Sequence, residues 1–291
     1  MWGKRFKMKW YTEQWSDHCK FSISYQEQLH SEASPFQQID FYKGEEFGTF
    51  FTLDGLMMVN EKDEFVYHDM ITHPAFATNP NIKNVLIIGG GDGGTAREVL
   101  RYKSVEKVVM VEIDELVFRL SQKYLPITAS GIEEDPRMEM IFDDGLAYVQ
   151  NSKDASFDLI LVDSTDPISV GEGLFTTAFY KECYRVLKED GILINQHESP
   201  YFHEYAENMR KAHTKIKNIF PIASVYQFHM PTYPSGHWLF GFASKKYHPL
   251  KDVQAEQWKQ FGLKTKYYNT DLHIGAFMLP TFVKEKLAQD E

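Results

Sequence analysis

Residues 85–94 of the chain read Val85-Leu86-Ile87-Ile88-Gly89-Gly90-Gly91-Asp92-Gly93-Gly94. A short run of apolar residues that ends in glycines is typical of a strand buried on both faces of a parallel sheet. The residues that follow, 95–102, have the pattern of a helix. A strand, a glycine-rich turn and a helix in this order indicate a doubly wound α/β fold, which binds its ligand beyond the carboxyl ends of the strands.

The pattern on either side of this segment divides the chain in two. After it, strands are predicted at residues 107–111, 138–142, 157–162 and 191–195, helices at 114–124, 175–187 and 201–219, and an antiparallel pair at 224–229 and 238–243. Before it, short aromatic-rich segments alternate with turns such as Asp54-Gly55, which favours a hairpin. The sequence therefore predicts a small N-terminal antiparallel β domain over residues 1–75. A Rossmann-like, methyltransferase-type doubly wound α/β sheet is predicted over residues 76–291.

Composition excludes several classes of protein. The 291 residues include 31 Lys and Arg against 41 Asp and Glu, a formal net charge of −10, which argues against nucleic-acid binding. Apolar runs are about four residues long where a membrane span needs about 20, so no membrane partner is expected. No apolar segment follows the basic amino terminus, and Cys19 and Cys183 are too few and too distant for a disulfide framework. We expect a cytoplasmic protein with reduced thiols.

The glycine loop has two interpretations. Gly89, Gly91 and Gly94 fit G-x-G-x-x-G, and Glu112 ends the next strand where a ribose-binding acid belongs, which by spacing alone indicates a dinucleotide-dependent dehydrogenase. However, Asp92 inside the loop would repel a pyrophosphate. A nucleoside that carries an ammonium group, such as an adenosyl-sulfonium compound, would instead be favoured. The alternatives are that Asp92 only caps the following helix and that Glu112 is incidental.

Further acids follow the other predicted strands. Asp143-Asp144-Gly145 comes after the third strand, where it could bind an adenine edge or form an ordinary turn. Asp163 and Asp166 come after the fourth. Crowded carboxylates raise one another's pKa unless a cation lies between them, so this pattern favours a polycationic substrate over a solvated acidic loop.

Aromatic side chains could complete such a site. Tyr67, Tyr233 and Trp238 could enclose a methylene chain and contact an ammonium group. Taken singly, Tyr67 and Trp238 are more typical of a core, whereas Tyr233 lies in the loop of residues 231–236, where burial is not the default. His68 and His73 are five residues apart, which is poor spacing for a helical metal pair, and neither cysteine supplies a thiolate cluster. We therefore predict no metal.

Taken together, these residues resemble the spermidine synthase (polyamine aminopropyltransferase) family along nearly the whole chain. The matching motifs are Leu53-Asp54-Gly55, residues 63–70, 85–94 and 110–114, Asp143-Asp144-Gly145, residues 163–167, 174–176 and 179–180, and Pro231-Thr232-Tyr233. The resemblance implies transfer of the aminopropyl group of decarboxylated S-adenosylmethionine, a co-substrate rather than a cofactor, to putrescine, giving spermidine and methylthioadenosine. It also implies a homodimer or homotetramer.

The resemblance assigns roles to individual residues. Asp163 would be the proton acceptor, and Asp92 would hold the ammonium of the donor. The residues that would bind the nucleoside side of the donor are Gln37, Glu112, Asp144 and Gly145. Those that would line the amine site are Tyr67, His68, Asp163, Asp166 and Tyr233.

Two positions depart from the family pattern. Val170 stands where proline is common, in a loop that would act as a lid, and His197 stands where a small residue is usual.

One rival to the aminopropyltransferase interpretation is a methyltransferase that uses intact S-adenosylmethionine, whose carboxylate Asp92 should repel. Another is a catalytically silent polyamine- or nucleoside-binding protein. The sequence leaves the acceptor open among putrescine, cadaverine, 1,3-diaminopropane and agmatine.

Overall fold

The structure, a computed structural model, describes residues 8–164 and 169–289, without the side chains of Ser169 and Val170. In these residues the first sheet has five antiparallel strands, β1 (Lys9–Ser16), β2 (Cys19–Ala33), β3 (Gln38–Gly44), β4 (Thr49–Leu53) and β5 (Leu56–Asn60). Strands β4 and β5 are joined by Asp54-Gly55, whose φ angles of 50° and 83° are those that a tight hairpin turn requires. The predicted hairpin is confirmed.

The second sheet is mixed and larger. Its strands are β6 (Asn84–Gly89), β7 (Lys107–Glu112), β8 (Met138–Phe142), β9 (Phe157–Asp163), β10 (Leu187–Gln196), β11 (Ile222–His229) and β12 (His237–Ser244). Among the described residues their order is β11-β12-β10-β9-β6-β7-β8, and β12 runs antiparallel to both neighbours. The chain proceeds from β6 outward to β8 and then returns to β9 on the other side of β6. This reversal creates the crevice in which doubly wound sheets bind ligands.

Helices cover both faces of the larger sheet. They are α1 (Glu64–Thr78), α2 (Gly94–Leu100), α3 (Glu115–Tyr124), α4 (Pro126–Ala129), α5 (Gly145–Asn151), α6 (Thr177–Val186), α7 (His203–Lys217), α8 (Ala255–Gln260), α9 (Thr270–Ala276) and α10 (Thr281–Leu287), with a 3₁₀ helix at Ser169–Phe175. Val85 and Ile87 pack on the side of α1, whereas Leu86 and Ile88 pack on the side of α6. Strand β6 is therefore buried on both faces, as predicted, and the doubly wound fold is confirmed. Within the described ranges, every helix is too short or too polar to span a bilayer.

Helix α1 lies in the part of the chain that the sequence analysis placed in the β domain. All of its residues except Phe65 are buried, and it packs against α2 and against β9, β10 and β11 of the larger sheet. The small sheet ends at Asn60, so the architecture changes at residues 61–63 instead of residue 75. The helix has no one-sided apolar stripe, because polar residues such as Glu64 and His68 are buried along with the apolar ones.

Candidate active site

A pocket lies between the two sheets, beyond the carboxyl ends of β6, β7 and β9. The larger sheet and its loops contribute Gly89 to Asp92, Glu112, Asp163 and Gln196 to its wall. The small sheet and the segment before β3 contribute Glu13, Gln37, Phe51, Leu53, Leu56, Met57, Met58 and Val59. The pocket thus lies where the chain order reverses and is closed on its other side by a largely apolar wall.

Two predicted acids meet at the centre of this pocket. Single ligand atoms of Asp92, Asp163 and His68 lie within 4.8 Å of one another. Asp163 Oδ2 accepts a hydrogen bond from Thr95 Oγ1 at 2.6 Å. Burial and then the charge of Asp92 raise the pKa of Asp163 to about 6, against the opposing effect of His68. Asp163 is therefore ionised at neutral pH, yet it is a stronger base than an exposed aspartate.

His68 lies between two carboxylates. Its Nδ1 is 2.6 Å from Glu64 Oε2, and its Nε2 is 3.1 Å from Asp92 Oδ1. Burial lowers the pKa of His68, but Asp92 and Glu64 outweigh burial and raise it to about 10. The side chain is thus an imidazolium at neutral pH. The sequence placed His68 along the amine site, and it does line the pocket, with both ring nitrogens directed at carboxylates.

Asp92 binds the backbone of the glycine loop and also lines the pocket. Its Oδ1 accepts a hydrogen bond from the backbone N–H of Gly94 at 2.9 Å, which stabilises the turn into α2. Its side chain also lines the pocket, with 7% of the residue exposed. The helix-capping alternative is wrong in its strict form, because the N-cap residue of α2 is Gly93 and no side chain of the described residues caps the helix. Asp92 stabilises the preceding turn and still lines the pocket.

The residues predicted to bind the donor nucleoside all line the pocket. Glu112 Oε1 accepts a hydrogen bond from the backbone N–H of Asp114 at 2.9 Å, and burial raises the pKa of Glu112 to about 7. A Cβ on Gly91 would lie 2.8 Å from Glu112 Oε2, so only glycine allows this approach. Gln37 Nε2 donates to Asp114 Oδ2 at 3.0 Å. The remaining two are Asp144, which caps α5 through the Leu146 N–H at 2.7 Å, and Gly145.

Aromatic rings form another wall of the pocket. Tyr67 packs edge-on against Tyr233 with ring centroids 6.0 Å apart, and Tyr233 packs likewise against Trp238 at 5.1 Å. Tyr233 donates its hydroxyl hydrogen to the Met58 carbonyl at 2.7 Å, which ties this wall to the small sheet. Tyr67 in addition donates its hydroxyl hydrogen to Gln196 Oε1 at 3.4 Å. All three rings line the pocket, as the sequence predicted for an amine site.

Of three other predicted positions, the structure describes the side chain of one. Asp166 lies outside the described residues, and so does the side chain of Val170. His197 is buried beside His213, with ring centroids 5.8 Å apart, and burial lowers its pKa to about 3. Gln196, the preceding residue, lines the pocket, whereas His197 itself does not.

Glu13 is a pocket residue that the sequence reasoning missed. Its Oε2 accepts hydrogen bonds from the Tyr11 hydroxyl at 2.9 Å and from the Met57 N–H at 3.0 Å, and the residue is 5% exposed. Tyr11 and Glu13 share the inward face of β1, where a charged residue is unusual. A glutamate at an inward position of an alternating strand was the signal that could have identified it.

Two side-chain clusters in the described chain have spacing that could accommodate a cation. One is His68, Asp92 and Asp163, which faces the pocket. The other, Asp69, His73 and Glu98, is buried, and Asp69 Oδ2 already accepts three backbone N–H groups, from Lys266, Tyr267 and Tyr268. The absence of a metal remains a prediction.

Comparison with known proteins gives two family matches and several near relatives. The spermine/spermidine synthase domain matches residues 64–255, and the spermidine synthase tetramerisation domain matches residues 9–61. The chain is 62% identical over 282 residues to the polyamine aminopropyltransferase of Clostridium acetobutylicum, covering 97% of this chain and 99% of that one. It is 63% identical over 278 residues to the polyamine aminopropyltransferase of Clostridium perfringens strain 13, covering 96% and 97%.

Solved structures agree with the sequence relatives. A spermidine synthase crystallised in complex with the transition-state analogue AdoDATO superimposes with a TM-score of 0.92 at 42% identity, covering 96% of this chain and 94% of that one. The spermidine synthase from Thermotoga maritima superimposes with a TM-score of 0.89, at the same identity and coverage.

Proposed function

Because this chain belongs to the spermine/spermidine synthase family, we propose that it transfers the aminopropyl group of decarboxylated S-adenosylmethionine to putrescine, giving spermidine and methylthioadenosine. The observation that carries this proposal is the pair of carboxylates, Asp92 and Asp163, which have single oxygens within 4.8 Å of each other in the pocket at the strand ends. Two anions at that point favour cations on both the donor and the acceptor.

The donor would lie along the ends of β6 and β7. Gln37, Glu112, Asp144 and Gly145 would bind its nucleoside, with Glu112 in the position that ribose-binding acids occupy at the end of a second strand. Asp92 would pair with the ammonium of the aminopropyl group. Intact S-adenosylmethionine carries a carboxylate at that end, which the negative charge of Asp92 would repel.

The acceptor would lie between the aromatic wall and the small sheet. Tyr67, Tyr233, His68 and Asp166 would line its site, and the rings would contact its methylene chain and its ammonium groups. Glu13 lies on the small-sheet side of the same pocket, so we propose that its carboxylate holds the distal ammonium of the diamine. That ammonium would stay charged and anchor the molecule while the other nitrogen reacts.

The reaction requires a free amine. An aliphatic diamine is a dication at pH 7, since its amines have pKa values near ~10, and an ammonium group is not a nucleophile. Asp163 would accept one proton, and its hydrogen bond from Thr95 Oγ1 would hold the carboxylate in place. The freed nitrogen then forms a bond to the sulfonium-bound carbon as the C–S bond breaks. The electron pair of the C–S bond goes to sulfur, which leaves as the neutral thioether methylthioadenosine.

Two further parts of the proposal concern the assembly. The small sheet corresponds to the matched tetramerisation domain, so we propose that the chain forms a homodimer or homotetramer through it. We further propose that the enzyme acts in the cytoplasm with small-molecule partners only, without a metal or other cofactor.

The product test uses mass spectrometry. The protein is incubated with decarboxylated S-adenosylmethionine and putrescine, and in parallel with intact S-adenosylmethionine and with cadaverine, 1,3-diaminopropane and agmatine. Spermidine and methylthioadenosine formed only from the decarboxylated donor are expected, and the amine panel ranks the acceptors. A methylated product would instead identify a methyltransferase, and no product from either donor would leave a binding protein.

The assignment of the base is tested with Asp163→Asn. Loss of a general base should lower kcat about 100-fold or more, while methylthioadenosine still binds because the nucleoside contacts remain. Asp143→Asn is the matched control, since Asp143 is an exposed acid at a neighbouring strand end. Wild-type turnover in Asp163→Asn would remove Asp163 from this role.

A further inference from the structure

The structure assigns a positioning role to Glu64 and Arg97, two residues outside the pocket wall: we propose that they hold His68 as a cation against Asp92 and thereby keep Asp163 available to accept a proton. The role of Asp163 in this inference rests on the proposed function. Neither residue reaches the substrate site, so both would act through His68.

The groups form a row of alternating charge that leads away from the pocket. Asp92 is followed by His68, then by Glu64, whose Oε2 is 2.6 Å from His68 Nδ1 and 2.9 Å from Arg97 Nη2. A second Arg97 nitrogen, Nη1, donates to Glu64 Oε1 at 3.3 Å, and Nε donates to Glu98 Oε1 at 3.1 Å. The two inner charges of the row, His68 and Glu64, thus each have an opposite charge on either side, which stabilises them in a buried position.

Local packing fixes the His68 ring in this orientation. Glu64 and His68 are four residues apart on α1, so their side chains lie on the same face of that helix. A Cβ on Gly94 would lie 2.2 Å from Cε1 of His68, so the backbone of the glycine loop packs directly on the ring. Glu64 is 2% exposed and His68 is 1% exposed, which leaves the ring no solvent-side alternative. With Nδ1 bonded to Glu64, Nε2 points towards Asp92.

The charge of His68 matters because of the groups around Asp163. Asp92 raises the pKa of Asp163, whereas His68 and the hydroxyls of Thr95 and Tyr67 lower it. Among the described residues, Glu112 is a further acidic group that interacts with Asp163. If His68 became neutral, Asp163 would face two other carboxylates with no cation among them and would retain its proton at higher pH.

Glu64→Gln tests the inference, because glutamine keeps the size of the side chain and removes its charge. kcat is measured against pH with both substrates saturating, for the wild type, Glu64→Gln, His68→Asn and the double variant. The acid limb of kcat reports the pKa of the base in the substrate complex, and we expect Glu64→Gln to move it upward by about one pH unit. In the His68→Asn background the same substitution should cause no further shift.

Variants of the arginine provide the controls. Arg97→Gln should move the acid limb of kcat in the same direction. Arg97→Lys should leave the acid limb close to its wild-type pH, because lysine keeps the positive charge. Arg101→Gln is the matched control: Arg101 is on the same helix end and binds Glu98, but not Glu64, so its acid limb should not move. Methylthioadenosine binding by each variant checks that the fold is intact.

A second readout does not depend on activity. Nitrogen-15 NMR of labelled histidine, with the His68 signal identified by its loss in His68→Asn, should show His68 deprotonating at lower pH in Glu64→Gln than in the wild type. An unchanged His68 titration, an equal loss of kcat at every pH, or a Glu64→Gln shift that persists without His68 would overturn the inference. Failure of the wild type to form spermidine would instead refute the proposed function and leave the NMR result to decide the role of Glu64.

Discussion

Replacing Asp92 with asparagine separates its charge from its role in the glycine loop. The side chain accepts the Gly94 N–H at 2.9 Å, and an asparagine oxygen can accept the same bond, so the turn into α2 should be retained. What is lost is the negative charge, which lies within 4.8 Å of Asp163 and lines the pocket. The variant therefore removes the proposed partner of the donor ammonium with little change in shape.

The expected magnitude follows from the kind of contact that is lost. A hydrogen bond to a charged group contributes about 1.5–3 kcal/mol, which corresponds to about a 10- to 150-fold weaker binding of decarboxylated S-adenosylmethionine. Methylthioadenosine lacks the aminopropyl group, so its affinity should change by less than about twofold. Intact S-adenosylmethionine should be rejected less strongly than by the wild type, because the repulsion of its carboxylate is gone.

Titration calorimetry with the three ligands measures these effects directly. Asp143→Asn is the control, since Asp143 is exposed and its side chain accepts the neighbouring N–H of Asp144 at 2.7 Å. An equal loss of affinity for all three ligands would mean that Asp92 only shapes the loop, and the ammonium assignment would be refuted. Asp92 also raises the pKa of Asp163. The acid limb of kcat should therefore lie at lower pH in Asp92→Asn than in the wild type.

Three other outcomes are expected. Glu13→Gln should raise KM for putrescine about 10-fold or more and leave KM for the donor unchanged in steady-state kinetics; equal changes in both would remove Glu13 from the acceptor site. The pKa of His68 rises from 6.5 to about 10 on folding, so its stabilisation is complete below pH 6.5 and is lost as pH rises through 10. Urea unfolding should show a smaller loss of stability between pH 7 and 10 in His68→Asn than in the wild type. Gly94→Ala should destabilise the fold by about 1–3 kcal/mol in the same assay, because its Cβ would lie 2.2 Å from the His68 ring, whereas Gly275→Ala meets nothing within 4 Å and should be neutral or stabilising.

The larger sheet was predictable because its central strands are apolar throughout. Leu86 and Val109 are both buried, and a strand that is covered on both faces has an uninterrupted apolar sequence that stands out from its surroundings. The acids at the strand ends were predictable for a related reason. Parallel strands bring their carboxyl ends to one edge, so Asp92, Glu112 and Asp163 could be placed together before any distance was known.

Helix α1 was not predictable in the same way. Its polar residues are neutralised by contacts from elsewhere in the chain, such as Arg97 for Glu64 and the backbone of residues 266–268 for Asp69. A helix that is buried on all sides lacks the periodic pattern by which helices are identified in a sequence. The partnership of Glu64 with Arg97 joins residues 33 positions apart, and local spacing contains no information about it.

Glu13 illustrates a second limit of the sequence. Its position on β1 follows from alternation, but its place in the pocket depends on how the small sheet packs against the ends of β6 and β9. Packing between two sheets joins residues that are far apart in the chain. The local sequence pattern of either sheet therefore does not reveal it.

The two sheets contribute different parts of the pocket wall, so substitutions in one sheet can change its part of the wall alone. The donor-side acids belong to the strand ends of the larger sheet, whereas Glu13 and the apolar side chains of Phe51, Leu53 and Met57 belong to the small one. Exchange of residues 9–61 between relatives would therefore replace Glu13 and this apolar wall, together with Gln37, and leave Asp92, Asp163 and the aromatic wall in place. In evolutionary terms, substitutions in the small sheet could change this part of the pocket without altering Asp92, Glu112 or Asp163.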